Sequence, residues 1–147
     1  MTTRIADKKK FLPISPNYIE DEFTVIADTL KSGKPILMAA YAQHGSNNEY
    51  YRELTQKNVV IPKKGGIGAI LLAQRTNSII VPMAVDIDEH RMMTISIGKY
   101  LDLEKIENLD KFKVDKDETK LISEKLREQS EILMNSLRSM MPPAKLE

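Results

Sequence analysis

Two adjacent lysines precede a glycine-rich segment in Lys63-Lys64-Gly65-Gly66-Ile67-Gly68. A short apolar run comes before the segment, and an apolar run of helical length follows it. Lysine ammonium groups and the backbone N–H groups at the start of a helix both favour an anion. The spacing therefore predicts a phosphate site at Lys63, Lys64 and Gly65, and a solvated turn is the alternative that fits the same residues.

His44 is the residue that could act as a general base, because the ordinary pKa of an imidazole lies near 6.5. It follows a predicted strand in Tyr41-Ala42-Gln43-His44-Gly45-Ser46, and loops beyond strand ends are where α/β proteins place ligands. A solvated loop histidine is the alternative, since the neighbouring sequence holds no carboxylate to orient the ring. His44 and His90 lack metal-ligand spacing, and there is no cysteine, so we predict no metal site, thiolate nucleophile or disulfide.

Composition narrows the class of protein. The 147 residues suit one domain, and a net charge of +1 provides no field for nucleic acid. The apolar runs are shorter than the ~20 residues that cross a bilayer, and the polar, basic start is unlike a signal peptide. We therefore expect a cytoplasmic protein without a nucleic-acid partner, whose contact with a membrane, if it has any, is peripheral.

Apolar runs alternate with amphipathic stretches along the chain, which predicts an α/β fold: a mixed sheet of about four strands flanked by helices. The predicted strands are residues 36–41, 59–61, 79–87 and 92–100. Helices are predicted from Pro16 to a stop at Gly33, over residues 66–75, and over residues 117–141. The predicted organisation is a mobile leader over residues 1–10, a single domain over residues 11–141 and a tail over residues 142–147.

The stretch from Lys64-Gly65 through the apolar helix to Ile80-Val81-Pro82-Met83-Ala84-Val85 resembles the glycerolipid (lysophospholipid) acyltransferase family. In that family a lysine–glycine helix start precedes a stretch similar to Pro-Val-Val-Pro-Val-Ala. By position, Gln43-His44-Gly45-Ser46 resembles the family's Pro-Glu-Gly-Thr motif, with His44 in place of the acid. The resemblance implies part of the acyltransferase fold, in which Lys63 and Lys64 hold a phosphate or coenzyme A group, while Gly45 and Ser46 shape the pocket floor.

The resemblance also implies a reaction and its partners. These are acyl transfer to a lysophospholipid or glycerol phosphate, a phosphorylated lipid or acyl donor as ligand, and acyl-CoA or an acyl carrier protein thioester as co-substrate, with no tightly bound cofactor. The family's His-x-x-x-x-Asp motif, whose histidine is the general base, has no counterpart in this sequence. We therefore expect the chain to be incomplete or inactive alone, with a missing N-terminal segment of the same protein as a further partner, and whether it is an enzyme stays open.

Two other functions fit the sequence. A nucleotide-binding module could use Gly66 and Gly68 for the phosphates, with Asp86 about twenty residues downstream as the ribose-binding acid. A non-catalytic interaction domain could use the long C-terminal helix or a methionine-rich surface to contact another protein.

Overall fold

The computed structural model describes residues 16–41 and 61–147, and the chain divides into two compact units, Met1–Ile36 and Leu37–Glu147. The first unit contains helix α1, Pro16–Lys31. Gly33 follows the helix with a φ of +82°, and its N–H donates to the carbonyl of Leu30 at 2.9 Å. This left-handed conformation favours glycine, so the predicted stop at Gly33 is confirmed.

The second unit holds the remaining regular elements of the described residues. Helix α2 is Gly68–Thr76, strands β1 and β2 are Met83–Ile87 and Met93–Ile97, and helix α3 is Lys116–Ser139. Short 3-10 turns lie at Leu109–Lys111 and Pro143–Lys145. The two predicted helices of this unit are observed with boundaries shifted by one to two residues.

Helix α3 has a defined start. The Asp115 side chain accepts hydrogen bonds from the N–H groups of Asp117 at 2.9 Å and Glu118 at 3.1 Å. This N-cap satisfies two of the four backbone donors that the first turn cannot pair within the helix, and the negative charge suits the positive end of the helix dipole.

The core of the second unit lies along one face of α3. Its buried residues recur every three or four positions, as one face of a helix requires: Ile122, Leu126, Gln129, Ser130, Leu133, Met134 and Leu137. They pack with Ile70 of α2, Ala84 of β1 and three residues from irregular segments, Ile61, Ile106 and Met141. This face is therefore the platform on which α2 and the segment before it are held.

The predicted sheet of about four strands is wrong. Among the described residues the sheet is a two-stranded antiparallel hairpin, in which Met83 pairs with Ile97 and Ile87 with Met93. The other strand-like pairs within residues 16–41 and 61–147 are isolated bridges, antiparallel at Ile80–Leu101 and parallel at Ile61–Leu146. The part of the chain that the structure describes is still a mixture of helices and strands.

The predicted strands fail or shrink for different reasons. Residues 36–41 form no strand, and Leu37 is 81% exposed, because the apolar run has no ladder partner in the described residues. Pro82 has no N–H for a ladder, so β1 begins only at Met83, and Gly98 N–H donates to the Pro82 carbonyl at 2.9 Å. Of residues 59–61, only Ile61 lies within the described residues, and it forms a single bridge.

Candidate functional site

Residues 61–67, which we call the lysine loop, are fastened to α3 by three side chains at spacings of four. Ser130 Oγ donates to the Gly66 carbonyl at 3.0 Å, and the Arg138 guanidinium donates to the Ile61 carbonyl at 3.1 Å. Met134, between them on the helix, is fully buried. Its side chain lies so close to Gly65 that a Cβ there would meet its sulfur at 2.7 Å. One face of α3 therefore fixes the path of the loop.

The C-terminal residues fasten the start of the lysine loop. Ile61 N–H donates to the Lys145 carbonyl at 3.1 Å, and Glu147 N–H donates back to the Ile61 carbonyl at 3.2 Å. Lys63 N–H donates to the Glu147 carboxylate at 2.8 Å. Arg138 reaches both sides of this bridge, because it also donates to the Glu147 carbonyl at 3.0 Å. The last residues of the chain thus hold the backbone that presents the two lysines.

The same C-terminal residues contact the end of β1. Lys145 Nζ donates to the Ile87 carbonyl at 3.1 Å and lies 3.6 Å from the Asp86 carboxylate. Asp86 Oδ1 is buried and makes no hydrogen bond within the described residues. The positive charge of Lys145 at 3.6 Å compensates its negative charge. Asp86 therefore serves to join β1 to the C-terminal residues in this structure.

The helix start beside the lysines differs in part from the expectation. Gly66 N–H donates to the Ala40 carbonyl at 2.9 Å, and Lys63 N–H is bonded to Glu147, so these two donors are already used. The N-cap of α2 is Ile67, whose side chain makes no capping hydrogen bond. A Cβ at Gly68 would meet nothing within 4 Å. The start of α2 is thus exposed at Gly68, whereas Ile70 of the same turn is fully buried.

The lysine loop can attract an anion but provides no acid or base. Lys63 and Lys64 are exposed, and both precede the positive end of α2 by only a few residues. Ammonium groups and a helix dipole act in the same direction on a phosphate. The Glu147 carboxylate, bonded to Lys63 N–H, is the opposing charge at this site. The loop is therefore suited to hold a charged group.

The other predicted site residues cannot be placed relative to the lysine loop. His44, Gly45 and Ser46 lie outside the described residues, so the catalytic and pocket-floor predictions stay predictions. Among the described residues, no group of three or more histidine and acidic side chains could hold a metal ion. In the same residues, no helix has both the length and the apolar character needed to cross a membrane.

Tyr41 lies on the side of the lysine loop that contacts Ala40. It packs against the core next to Ala40, whose carbonyl receives the Gly66 N–H. Burial removes water from the phenol and raises the pKa of Tyr41 above its ordinary value of 10.0. The phenol is therefore neutral at physiological pH and contributes packing on this side of the loop.

Three residues that hold the lysine loop were missed by sequence reasoning: Ser130, Met134 and Arg138. The signal that could have found them is their i, i+4, i+8 spacing, which places them on one helix face. Glu147 had no signal, because a carboxylate at the end of the sequence gives no indication of which backbone N–H it meets.

No family model, curated protein or solved structure matches the chain.

Proposed function

We propose that this chain binds the phosphate-bearing ligand of an acyl-transfer reaction at the lysine loop. That ligand is either a phosphorylated acceptor, such as a lysophospholipid or glycerol phosphate, or acyl-CoA. The observation that carries the proposal is the pair of exposed lysines before the uncapped start of α2, on a loop fastened from both sides. The acyl-transfer assignment comes from the sequence resemblance, whereas the two exposed lysines and the nearby helix start support the proposed preference for an anion.

The fastening of the lysine loop matters for affinity. A loop that is ordered before the ligand arrives loses less conformational entropy on binding. Here Ser130, Met134 and Arg138 supply that order from a helix that also forms the core. Exposure works in the opposite direction, because water and salt screen the two ammonium groups. We therefore expect a weak to moderate affinity that falls as salt is added.

The chemical step needs a group that the lysine loop does not contain. Attack of an acceptor hydroxyl on a thioester carbonyl requires removal of the hydroxyl proton, and a positioned base contributes about 10²–10⁴-fold to such a step. The lysines would hold the phosphate and leave proton transfer to another part of the protein. The proposed role of this domain is thus binding and orientation.

Binding can be tested with glycerol 3-phosphate and coenzyme A, two water-soluble probes that carry the relevant phosphates, by isothermal titration calorimetry. The double variant Lys63→Ala/Lys64→Ala should weaken binding at least tenfold, which corresponds to about 1.4 kcal/mol. The matched control is Lys120→Ala/Lys125→Ala, which removes the same charge from exposed positions of α3 and should leave the affinity unchanged. An equal loss of affinity in both double variants would mean that only the net charge of the protein matters. No loss of affinity in either variant would contradict a phosphate site at Lys63 and Lys64.

Activity separates binding from catalysis. With acyl-CoA as donor and lysophosphatidate or glycerol 3-phosphate as acceptor, the isolated chain should show little or no acyl transfer. Robust turnover that His44→Ala abolishes would overturn this expectation and make the chain a complete enzyme with its own base. Turnover that appears only when an upstream segment is added would support the binding role proposed for this domain.

A further inference from the structure

The β1–β2 hairpin exposes a row of large apolar side chains on one face. The directly paired positions Val85–Ile95 and Ile87–Met93 point to the same face, and all four side chains are 44–60% exposed. Ile97, on the same face of β2, is 70% exposed. Strand side chains alternate between faces, so this is one continuous apolar surface, which we call the hairpin face.

The opposite face of the hairpin is small and polar where a core face is usually large and apolar. It carries Ala84, Asp86, Thr94 and Ser96, of which Ala84 is buried and belongs to the core. An antiparallel sheet with one solvated face normally directs its large apolar residues inward. The reversed arrangement indicates that the hairpin face is itself covered in the working protein.

The extent of the hairpin face is close to what a stable contact needs. Ile79, Val81 and Tyr100, all at least 48% exposed, flank the end of the hairpin away from its turn. With roughly 80–100 Å² for each large side chain, the face and its flank offer on the order of 600–800 Å². A standard interface buries about 800 Å² on each partner, whereas isolated apolar patches on monomers reach about 300–600 Å².

The charges at the two ends of the hairpin favour a second copy of the same chain. The turn carries the exposed Glu89 together with Asp88 and Arg91, and the opposite end carries the exposed Lys99, three residues before Asp102. When two hairpins stack face to face about a two-fold axis with opposite strand directions, the turn of each lies over the Lys99 end of the other. The arrangement is self-complementary, as an isologous interface requires.

We propose that the hairpin face is a homodimer interface, in which two hairpins stack as the facing sheets of a small sandwich about 10 Å apart. A two-stranded hairpin is at best marginally stable alone, so stacking also stabilises β1 and β2. The interface is at the small end of the specific class and should give a dissociation constant in the micromolar range. This inference does not depend on the ligand of the lysine loop.

Sedimentation equilibrium of the full chain tests the interface, over concentrations from about 1 to 200 µM that bracket micromolar affinity. We expect a reversible monomer–dimer equilibrium. Ile95→Asp should weaken the dimer at least tenfold, because it places a charge in the centre of the hairpin face. Ile132→Asp, an exposed apolar position of α3, is the matched control and should dimerise as the unmodified chain does.

A charge exchange provides a second test that leaves the apolar residues intact. Lys99→Glu and Glu89→Lys should each weaken the dimer several-fold, and the double variant should restore it. A chain that stays monomeric at the highest concentration would overturn the proposal, as would a dimer that Ile95→Asp leaves intact. A monomer that binds phosphatidylcholine–phosphatidylglycerol vesicles, and loses that binding in Ile95→Asp, would assign the face to a lipid surface instead.

Discussion

The lysine loop and the β1–β2 hairpin lie in the same unit and are stabilised in opposite ways. The loop has no regular secondary structure, and its backbone is fixed by side chains far away in sequence, such as Ser130 and Arg138. The hairpin is regular and is fixed mainly by local contacts, which are its own ladder and its turn, where the Asp88 carboxylate accepts from the N–H groups of His90 and Met92. Lys145 adds one distant contact, at the end of β1. Irregular backbone can therefore be the better-anchored part of a molecule.

Apolar side chains also play different parts in the two regions. On α3, Leu126 and Met134 are fully buried and hold other segments in place. On the hairpin, Ile95 and Ile97 are large and apolar but contribute little to the core, because their side of the sheet is exposed. The core is therefore built along α3, whereas the apolar face of the hairpin is exposed to solvent.

The largest expected effect compares these two apolar positions. Leu126→Ala should lower the free energy of unfolding by about 2–5 kcal/mol, because it leaves a cavity in the packed core. Ile95→Ala, measured at a concentration below the dimer range, should change that energy by less than about 1 kcal/mol, since its side chain is already half in water.

Urea unfolding followed by circular dichroism measures both changes. A loss at Ile95 as large as that at Leu126, independent of protein concentration, would mean that the hairpin face is part of the monomer's own core. A loss at Ile95 that appears only at high protein concentration would support the homodimer interface.

An intermediate effect is expected where the lysine loop meets α3. Gly65→Ala places a Cβ 2.7 Å from the Met134 sulfur and 3.0 Å from the Ala40 carbonyl oxygen. Backbone or core atoms must shift, so we expect a loss of about 1–3 kcal/mol in unfolding free energy together with weaker anion binding. Gly68→Ala is the matched control, because nothing lies within 4 Å of its Cβ and alanine favours a helix over glycine by roughly 0.5–1 kcal/mol.

Thermal unfolding and phosphate-ligand titration of both variants give the comparison. The two changes should have opposite signs in stability. Destabilisation by both, to the same degree, would mean that glycine is needed throughout the α2 entry and that the contact with Met134 has no special role.

Local patterns in the sequence predicted the helices well and the sheet poorly. The i, i+3, i+4 rule selected Ile122, Leu126, Leu133 and Leu137 of α3, which are buried. It also selected Leu121 and Ile132, which are 53% and 48% exposed, and it omitted Gln129 and Met134. Residue type explains the omission of Gln129, since a buried amide looks polar until its partners are known, but it does not explain that of the apolar Met134.

Gln129 illustrates what a single sequence cannot supply. Its side chain accepts from Gln74 of α2 at 2.8 Å and donates to the Glu104 carbonyl, and Gln74 Oε1 in turn accepts from Ile106 N–H at 3.1 Å. These contacts join residues from three separate segments, so no local pattern encodes them. Residues 36–41 fail for the same reason, because a strand exists only with a partner, and the identity of the partner is a tertiary fact.

The position of the lysine loop was predictable, but its geometry was not. Adjacent lysines before glycines in Lys63-Lys64-Gly65-Gly66 marked the place. The prediction relied on available backbone N–H groups near the helix start, whereas the N–H groups of Lys63 and Gly66 donate to Glu147 and Ala40. Both acceptors are distant in sequence, so the donors that stay available for a ligand could only be identified from the fold.

The smallest expected effect concerns Tyr41, which lies next to Ala40, a residue that contacts the lysine loop. Burial raises the pKa of Tyr41 in the folded chain above 10.0, so above about pH 10 the unfolded chain releases this proton before the folded chain does. Stability from this group is therefore fully present below pH 10 and declines as pH rises toward the folded pKa. Tyr41→Phe should remove that part of the decline, so that its unfolding free energy falls less steeply above pH 10.

The control for Tyr41→Phe is the unmodified chain, unfolded in the same buffers. The measurement is urea unfolding at steps between about pH 8 and 11, a range that spans the ordinary tyrosine pKa. Any offset of Tyr41→Phe that is constant below pH 9 reports lost packing or hydrogen bonding, and only the difference in slope reports the proton. Parallel curves for Tyr41→Phe and the unmodified chain would mean that water reaches the phenol in solution. The core beside the lysine loop would then be less tightly packed around Tyr41 than the structure shows.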